Sequence, residues 1–185
     1  MKKALLILVV LAFSCSRESH YGYSKKKPVK KRVEDVAAAP STDVGATMPP
    51  YQATLLDGKP FDLAAERGRN VVFLNLWATW CGPCRFEIPE LEKMHAKYAA
   101  RGFEVVGVSV DEGGAEAVMP FVKEQTIGYP IALDPSGKIA NILQTTVLPT
   151  SVLIDRNGKI VWRRIGALMG PDATLDAAID KALAK

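Results

Sequence analysis

The sequence predicts an α/β fold in which helices cover both faces of a central mixed β-sheet. Two apolar runs, 70–78 and 103–110, do not alternate with polar residues, which is typical of strands buried on both faces. A long helical pattern at 83–101 separates them. Near the carboxyl end, two strand-like runs around Arg156-Asn157-Gly158 predict a β-hairpin. Strands separated by a helix, together with strands joined by a hairpin, make the sheet mixed.

One domain is predicted from Met48 onward, since a segment of this length can bury a core of its own. Asp57-Gly58 between two short runs predicts an N-terminal β-hairpin. One predicted helix contains Pro120, which must lie in its first turn or kink it. The remaining predicted elements are hairpin strands at 52–56 and 59–63, a helix at 115–125, a strand at 130–133, a short helix at 137–143, strands at 150–155 and 159–165, and a final helix at 171–184.

The motif that carries chemistry is Trp80-Cys81-Gly82-Pro83-Cys84, between the first buried strand and the long helix. The first sulfur lies beside unpaired backbone N–H groups and the positive end of the helix dipole, which stabilise a thiolate. Cys81 is therefore the predicted nucleophile. Cys84 lies one helical turn deeper, where it can attack a mixed disulfide at Cys81 and release the partner. Pro83 is compatible with the first turn of a helix.

Other roles for this C-x-x-C are less favoured. Structural zinc would need two more Cys or His ligands at usable spacing, and the remaining candidates are Cys15, His20 and His95. A Cu(I) site would also need a further donor. A purely structural disulfide across so short a loop would constrain the unfolded chain little. The sequence thus favours a redox dithiol that works without a metal or an organic cofactor.

Two stretches carry a family resemblance: 73–89, with the sequence FLNLWATWCGPCRFEIP, and 148–155, with the sequence LPTSVLID. Together they resemble the thioredoxin superfamily. The match over 49–185 is more narrowly similar to the membrane-anchored TlpA/ResA-like thiol-disulfide oxidoreductases, whose domain is of the AhpC/TSA-Redoxin type. The resemblance implies a thioredoxin-like fold in which 115–133 forms a central αβ insertion.

The same resemblance implies a substrate surface around the dithiol. In this family the proline of the second stretch is cis and faces the two cysteines. Carried to Pro149, this leaves a free backbone edge where an extended substrate segment can add as a short strand. A trans proline opening a strand is the alternative, since most X-Pro bonds are trans. The residues expected to contact substrate lie beside the dithiol or this proline: Trp80, Gly82, Pro83, Leu148 and Thr150.

Proton transfer at the dithiol is also assigned through the resemblance. Plain thioredoxins carry a buried aspartate six residues before the first cysteine, and this chain has Asn75 there. In ResA-like proteins a glutamate three residues after the second cysteine does related work, and Glu87 occupies that position. Helical spacing places Glu87 on the face of Cys84, and a desolvated carboxylate exchanges protons near neutral pH. The alternative is a first-turn acid that complements the helix dipole.

Further side chains near the motif have simpler interpretations. Trp80 either offers a flat apolar contact to the partner or packs beneath the site. Trp77 is expected to be a core residue. Arg85 and His95 are expected on the surface of the long helix, and Met169 is expected to be a packing residue.

The first 47 residues predict export and attachment. Residues 1–15 have the charged start, apolar run and small-residue end of a signal peptide, and the run is too short to span a bilayer. Their end is similar to a bacterial lipoprotein signal, which implies lipidation of Cys15. Ordinary cleavage or an uncleaved anchor are the alternatives. Residues 16–47 lack periodicity and carry the basic cluster 25–32, so they predict a disordered basic tether that either contacts anionic headgroups or acts as a solvated spacer.

The net charge of +4 comes from the leader and tether, so the folded part has no basic face and nucleic acid is not an expected partner. The sequence predicts an exported oxidoreductase held at the membrane through Cys15 and facing the periplasm or cell exterior. By resemblance, it acts on protein disulfides in apocytochrome c haem-binding segments or copper-site assembly proteins, and a membrane electron donor renews it. Gly-Pro between the cysteines favours a reductase. The alternatives are an oxidase or isomerase of secreted proteins and a non-enzymatic copper-delivery module.

Overall fold

The computed structural model describes residues 41–184. The predicted signal peptide at 1–15, with its lipidation site Cys15, and the predicted tether up to residue 40 lie outside these residues. Within the described part, no helix is long and apolar enough to cross a bilayer.

Residues 41–184 form one sheet of seven strands with helices packed on it. The strands follow the order β2-β1-β5-β4-β3-β6-β7 across the sheet. The elements along the chain are β1 (Gln52–Leu55), β2 (Pro60–Asp62), β3 (Val71–Trp77), α1 (Gly82–Tyr98), β4 (Phe103–Ser109), α2 (Gly114–Gln125), β5 (Ile131–Leu133), α3 (Lys138–Ile142), β6 (Thr150–Ile154), β7 (Ile160–Ile165) and α4 (Ala173–Leu183).

The strand pairing confirms the predicted mixed sheet. Strands β3, β4 and β5 are parallel neighbours, and the other adjacent pairs are antiparallel. β3 and β4 lie at the centre, which explains why both sequence runs are apolar without alternation. The helix α2 and strand β5 are inserted between β4 and β6, and β5 links the central strands to the N-terminal hairpin.

Helices cover both faces of the sheet, as predicted. Buried side chains of α1, α2 and α4 pack on one face, and α3 packs with the N-terminal hairpin on the other. Because side chains alternate along β3, Phe73 and Trp77 belong to the face covered by α1, whereas Leu74 and Leu76 belong to the opposite face. The same alternation turns Asn75, the only polar residue of the buried strand β3, toward α1.

The long helix ends earlier than predicted. α1 stops at Tyr98, and a 3-10 turn over Ala99–Arg101 takes up the rest of the predicted range. Gly102 follows in the left-handed region with φ 79°, which ends the helix, because a residue with a Cβ is strained in that conformation.

Pro120 does not lie in the first turn of its helix. It lies inside α2, which begins at Gly114. A proline there leaves the carbonyl of Glu116 without its helical partner. Both residues are exposed, so water can satisfy that carbonyl.

The folded part also begins before the predicted boundary at Met48. Gly45 and Ala46 exchange backbone hydrogen bonds with Ile160 on the edge strand β7. Thr42 is buried, and the guanidinium of Arg163 donates hydrogen bonds to both the carbonyl and the hydroxyl of Thr42. The last residues assigned to a disordered tether are therefore part of the domain, because they cover an otherwise open sheet edge.

Candidate active site

The site lies where the parallel strands β3 and β4 end. Trp77 and Ser109, their last residues, are paired in register. The chain leaves β3 through a short turn and enters α1 at Gly82, so the C-x-x-C motif sits at the carboxyl edge of the sheet. Loops that follow adjacent parallel strands meet at this edge, which is where α/β folds place ligands and reactive groups.

Cys81 is the N-cap residue of α1, and its sulfur accepts a hydrogen bond from the backbone N–H of Cys84 at 3.2 Å. The two cysteines are joined as a disulfide with a Cα–Cα distance of 5.3 Å. Cys81 is 5 % exposed and Cys84 1 % exposed. After reduction, the Cys81 sulfur would face free N–H groups and the positive end of α1. The roles predicted for the two thiols stay predictions.

Glu87 is fully buried one turn after Cys84. Its Oε1 accepts a hydrogen bond from the side-chain amide of Asn75 at 2.6 Å, and its Oε2 accepts one from the N–H of Leu168 at 3.0 Å. Asn75 donates a second hydrogen bond to the hydroxyl of Ser151 at 3.0 Å. Asn75 occupies the position of the thioredoxin aspartate and orients a different acid, Glu87, which α1 supplies.

Burial raises the pKa of Glu87 to about 7, and the hydrogen bonds from Leu168 and Asn75 and the charge of Arg164 oppose this rise only in part. Near neutral pH, the protonated and the ionised forms of a carboxyl with this pKa are both well populated. The alternative of a surface acid that complements the helix dipole is wrong, since the side chain is inaccessible to solvent. The role of Glu87 in proton exchange stays a prediction, and its burial and hydrogen bonds are compatible with that role.

The Leu148–Pro149 peptide bond is cis, as the resemblance implied. The paired register of β6 with β3 begins at Thr150, so Leu148 lies beyond the paired strand. The carbonyl of Pro149 accepts a hydrogen bond from the N–H of Gly166, and this bond connects the loop to the segment after β7. Substrate addition along Leu148 stays a prediction.

Several large apolar side chains are exposed near this end of the sheet. Trp80 is 70 % exposed, so the alternative that it packs beneath the site is wrong. Met169 is 77 % exposed, and the expectation that it packs in the core is also wrong. Met169 follows Leu168, whose N–H donates a hydrogen bond to Glu87. This hydrogen bond fixes the loop after β7 at Leu168, and the side chain of Met169 extends into solvent. The other exposed large apolar residues at this end are Phe86, Val147 and Ile165.

Sequence reasoning missed the residue that holds the turn before the dithiol. The buried carboxylate of Asp111, just beyond β4, accepts hydrogen bonds from the N–H and hydroxyl of Thr79. Arg85, which is exposed as expected, donates from Nε to the carbonyl of Thr79 at 3.0 Å. The available signal was positional: an acid directly after a parallel strand lies beside the loop that follows the neighbouring strand.

Two further expectations concern metals and His95. Among residues 41–184, no group of three or more His, Cys, Asp or Glu side chains is arranged to hold a metal ion. His95 is half-buried rather than a surface residue, and its ring packs edge-on against Tyr129 with centroids 6.4 Å apart. Trp77 is buried in the core, as expected.

Comparison with known proteins agrees with this geometry. The Redoxin family model matches residues 43–179. Thiol-disulfide oxidoreductase ResA from Bacillus cereus is 32 % identical over 157 residues, covering 85 % of this chain and 83 % of that protein. ResA from Bacillus subtilis is 33 % identical over 125 residues, covering 68 % of this chain and 69 % of that protein.

A solved structure from Chlorobium tepidum, of a protein proposed to be the thiol:disulfide interchange protein DsbE, superposes with a TM-score of 0.71. It is 36 % identical, and the match covers 77 % of this chain and 99 % of that one. The thioredoxin-like fold is confirmed by this likeness. The chain therefore belongs to the Redoxin family, among its ResA- and DsbE-type proteins, and is a thiol-disulfide oxidoreductase.

Proposed function

We propose that this oxidoreductase is an exported, lipid-anchored reductase of protein disulfides. The observation that carries the reductase activity is that Cys81 is the N-cap residue of α1 and that the same helix supplies the buried acid Glu87 one turn after Cys84. This arrangement supplies a stabilised thiolate for attack and a proton acceptor for the second thiol. Both are needed for a dithiol to reduce another disulfide in two steps.

In the first step, the Cys81 thiolate attacks one sulfur of the substrate disulfide. The substrate S–S bond breaks, a mixed disulfide forms, and the released substrate sulfur takes up a proton. In the second step, the Cys84 thiol gives its proton to Glu87 and attacks the Cys81 sulfur. The second substrate sulfur leaves as a thiolate and takes up a proton from solvent, and the Cys81–Cys84 disulfide remains, so two electrons have passed to the substrate.

The reductive direction rests on the residues between the cysteines. Gly82 and Pro83 form the thioredoxin pair, and thioredoxin has a potential of about −270 mV. Equilibrium with glutathione buffers measures the potential of this chain. A value near that of thioredoxin supports the reductase, whereas a value above about −180 mV would favour an oxidase or isomerase of secreted proteins.

The proposed substrates are disulfides in apocytochrome c haem-binding segments or in copper-site assembly proteins, with a membrane electron donor renewing the dithiol. A Cys84→Ala variant tests this directly, since it leaves the mixed disulfide at Cys81 unresolved. Mass spectrometry of trapped partners should find proteins of these classes. A Cys81→Ala, Cys84→Ala variant is the matched control, and partners that it also captures are not substrates.

Export and anchoring rest on the leader sequence. Mass spectrometry of the mature N-terminus in a bacterial host that processes lipoproteins should find a lipidated Cys15. A free N-terminus downstream of Cys15 would contradict the lipoprotein proposal. A Cys15→Ser variant should leave the membrane fraction, and a variant that stays membrane-bound would weaken the proposal of a lipid anchor.

A further inference from the structure

The turn that presents Cys81 is held by a side chain from the neighbouring strand. Asp111 is 4 % exposed. Its Oδ1 accepts a hydrogen bond from the hydroxyl of Thr79 at 2.6 Å, and its Oδ2 accepts one from the N–H of the same residue at 3.0 Å. The hydroxyl of Ser109 donates to Oδ2 at 2.7 Å. Thr79 is therefore fixed through both its backbone and its side chain, two residues before the nucleophile.

Arg85 holds the same residue from the other side. Its Nε donates to the carbonyl of Thr79, and its guanidinium lies over the ring of Phe121, 5.0 Å from the centroid. The N–H, the carbonyl and the hydroxyl of Thr79 thus all have protein partners. The backbone between Thr79 and Cys81 has little freedom, because its start is fixed here and its end is fixed by the helix cap.

The two charges that hold Thr79 differ in their effect on Cys81. Arg85 is exposed, so solvent and salt screen its positive charge. Asp111 is buried, so its negative charge acts through a medium of lower dielectric constant. A negative charge near the amino end of α1 opposes the stabilisation that the helix gives a thiolate there.

We propose that Asp111 is a positioning residue for the dithiol, which holds the Thr79–Cys81 turn in its attacking conformation and whose buried negative charge disfavours the Cys81 thiolate. A less stabilised thiolate makes a dithiol couple more reducing. Asp111 thereby keeps this couple on the side of a reductase although its nucleophile sits at a helix N-terminus. The inference rests on the dithiol cycle proposed above and adds a residue that sets its direction.

Other ionisable groups face the dithiol region. Glu87 approaches from the Cys84 side of α1, and Arg164 of β7 acts on Glu87. Glu112, next to Asp111, is exposed and outside the hydrogen bonds to Thr79. These positions allow the charge of Asp111 to be separated from that of its neighbours by single substitutions.

The test uses the full chain with Cys15→Ser, so that only the dithiol reacts. In the Asp111→Asn variant, the midpoint of iodoacetamide alkylation at Cys81 should fall by half a pH unit or more. The equilibrium constant with glutathione should shift at least threefold toward the reduced protein, about 15 mV less negative in potential. Two controls should leave both values unchanged: Glu112→Gln, which removes an exposed charge, and Asp155→Asn, which removes a buried carboxylate that accepts two backbone N–H groups at the opposite end of the sheet.

The positioning part is tested without a change of charge. Thr79→Val removes the hydroxyl that Asp111 accepts, and Thr79→Ser keeps it. With 5,5′-dithiobis(2-nitrobenzoate) as the disulfide, the rate constant at a pH where Cys81 is fully ionised should fall at least threefold in Thr79→Val and return to the parent value in Thr79→Ser. The alkylation midpoint should stay that of the parent in both.

An alkylation midpoint that is unchanged or raised in Asp111→Asn, or lowered equally in Glu112→Gln or Asp155→Asn, would overturn the electrostatic role. Equal rates in the Thr79 pair would overturn the positioning role, and this pair remains decisive if Asp111→Asn does not fold. Failure of the proposed function looks different. There, the parent itself would show no exchange that depends on Cys81, whereas failure of this inference leaves exchange intact and independent of Asp111.

Discussion

Two buried acids flank the dithiol, and their surroundings differ. Asp111, just beyond β4, accepts hydrogen bonds from the N–H and the hydroxyl of Thr79 and from the hydroxyl of Ser109. Glu87, in the second turn of α1, receives one from a side-chain amide and one from a backbone N–H. Burial raises the pKa of Glu87 to about 7, so its carboxyl can exchange a proton near neutral pH. The hydrogen bonds around Asp111 suit a residue that positions a turn, and the surroundings of Glu87 suit a group that gains and loses a proton.

The difference divides the control of the two sulfurs. In our proposal, the charge of Asp111 acts on the Cys81 thiolate, and its hydrogen bonds to Thr79 fix the turn that presents this thiolate. The role proposed for Glu87 concerns Cys84, whose proton must leave only after a mixed disulfide has formed.

The largest effect is expected from the cysteines themselves. Cys81→Ser should slow disulfide exchange by more than about a hundredfold, because a hydroxyl is a poor substitute for a thiolate. Cys84→Ser should retain the first attack and accumulate the mixed disulfide. Iodoacetamide alkylation of the reduced protein, followed by peptide mass analysis, should label Cys81 first. If Cys84 reacts first instead, the two roles are reversed.

The stability of the oxidised protein should depend on Glu87 between pH 4.5 and 7. As the pH rises through this window, the unfolded chain loses the proton of Glu87 while the folded protein keeps it. The free energy of unfolding therefore falls with rising pH, by up to about 3 kcal/mol from this one group, and the loss is complete above pH 7.

Urea unfolding of the parent and of Glu87→Gln across pH 4 to 8 measures this effect. The variant loses one hydrogen bond at every pH, so the informative quantity is the change with pH of the difference between the two proteins. As the pH rises, the free energy of unfolding of the parent should fall relative to that of Glu87→Gln. Glu116→Gln, which alters an exposed acid in the first turn of α2, should show no such change. A constant difference between parent and Glu87→Gln would mean that burial does not hold the proton.

Glu87→Gln should also slow turnover, by about tenfold or more near pH 7, because Cys84 then lacks its proton acceptor. The loss should shrink at higher pH, where solvent removes the proton. Asn75→Asp places an acid at the position that thioredoxins use and should partly restore the rate in the double variant. If the pH profile of Glu87→Gln superimposes on that of the parent while substitutions at Asn75 move it, proton transfer runs through another group.

The sequence predicted most of the fold, because local signals were strong where the structure is regular. The uninterrupted apolar runs of β3 and β4, the Asp57-Gly58 turn and the hairpin around Asn157 each determine an element without reference to distant residues. The boundary at Met48 was wrong for the opposite reason. Thr42 is polar and follows a tether-like stretch, and only its contacts with Arg163 on β7 place it in the domain.

The site was predicted where the resemblance named a residue and missed where the contact was long-range and unnamed. Glu87 and Pro149 lie where the motifs place them. The hydrogen bond between Asn75 and Glu87 could have been foreseen, since alternation in β3 turns Asn75 toward α1. The contact of Leu168 with Glu87 joins residues 81 positions apart in a loop without periodicity, so no sequence pattern predicted it.

The smallest effect is expected at Arg85, the exposed partner in the hold on Thr79. Arg85→Ala removes one hydrogen bond to a carbonyl that water can reach and a contact with the ring of Phe121, so disulfide exchange should slow by only about twofold, as for other exposed charged contacts. Arg85→Lys cannot reproduce the Nε hydrogen bond and should behave like Arg85→Ala, although it keeps the charge. Stopped-flow exchange at low and high salt separates geometry from charge: a geometric role predicts the same twofold loss at both. A larger loss that salt abolishes would mean that Arg85 acts on the Cys81 thiolate through its charge. The proposed difference between Asp111, whose buried charge affects the thiolate, and Arg85, whose exposed charge does not, would then be wrong.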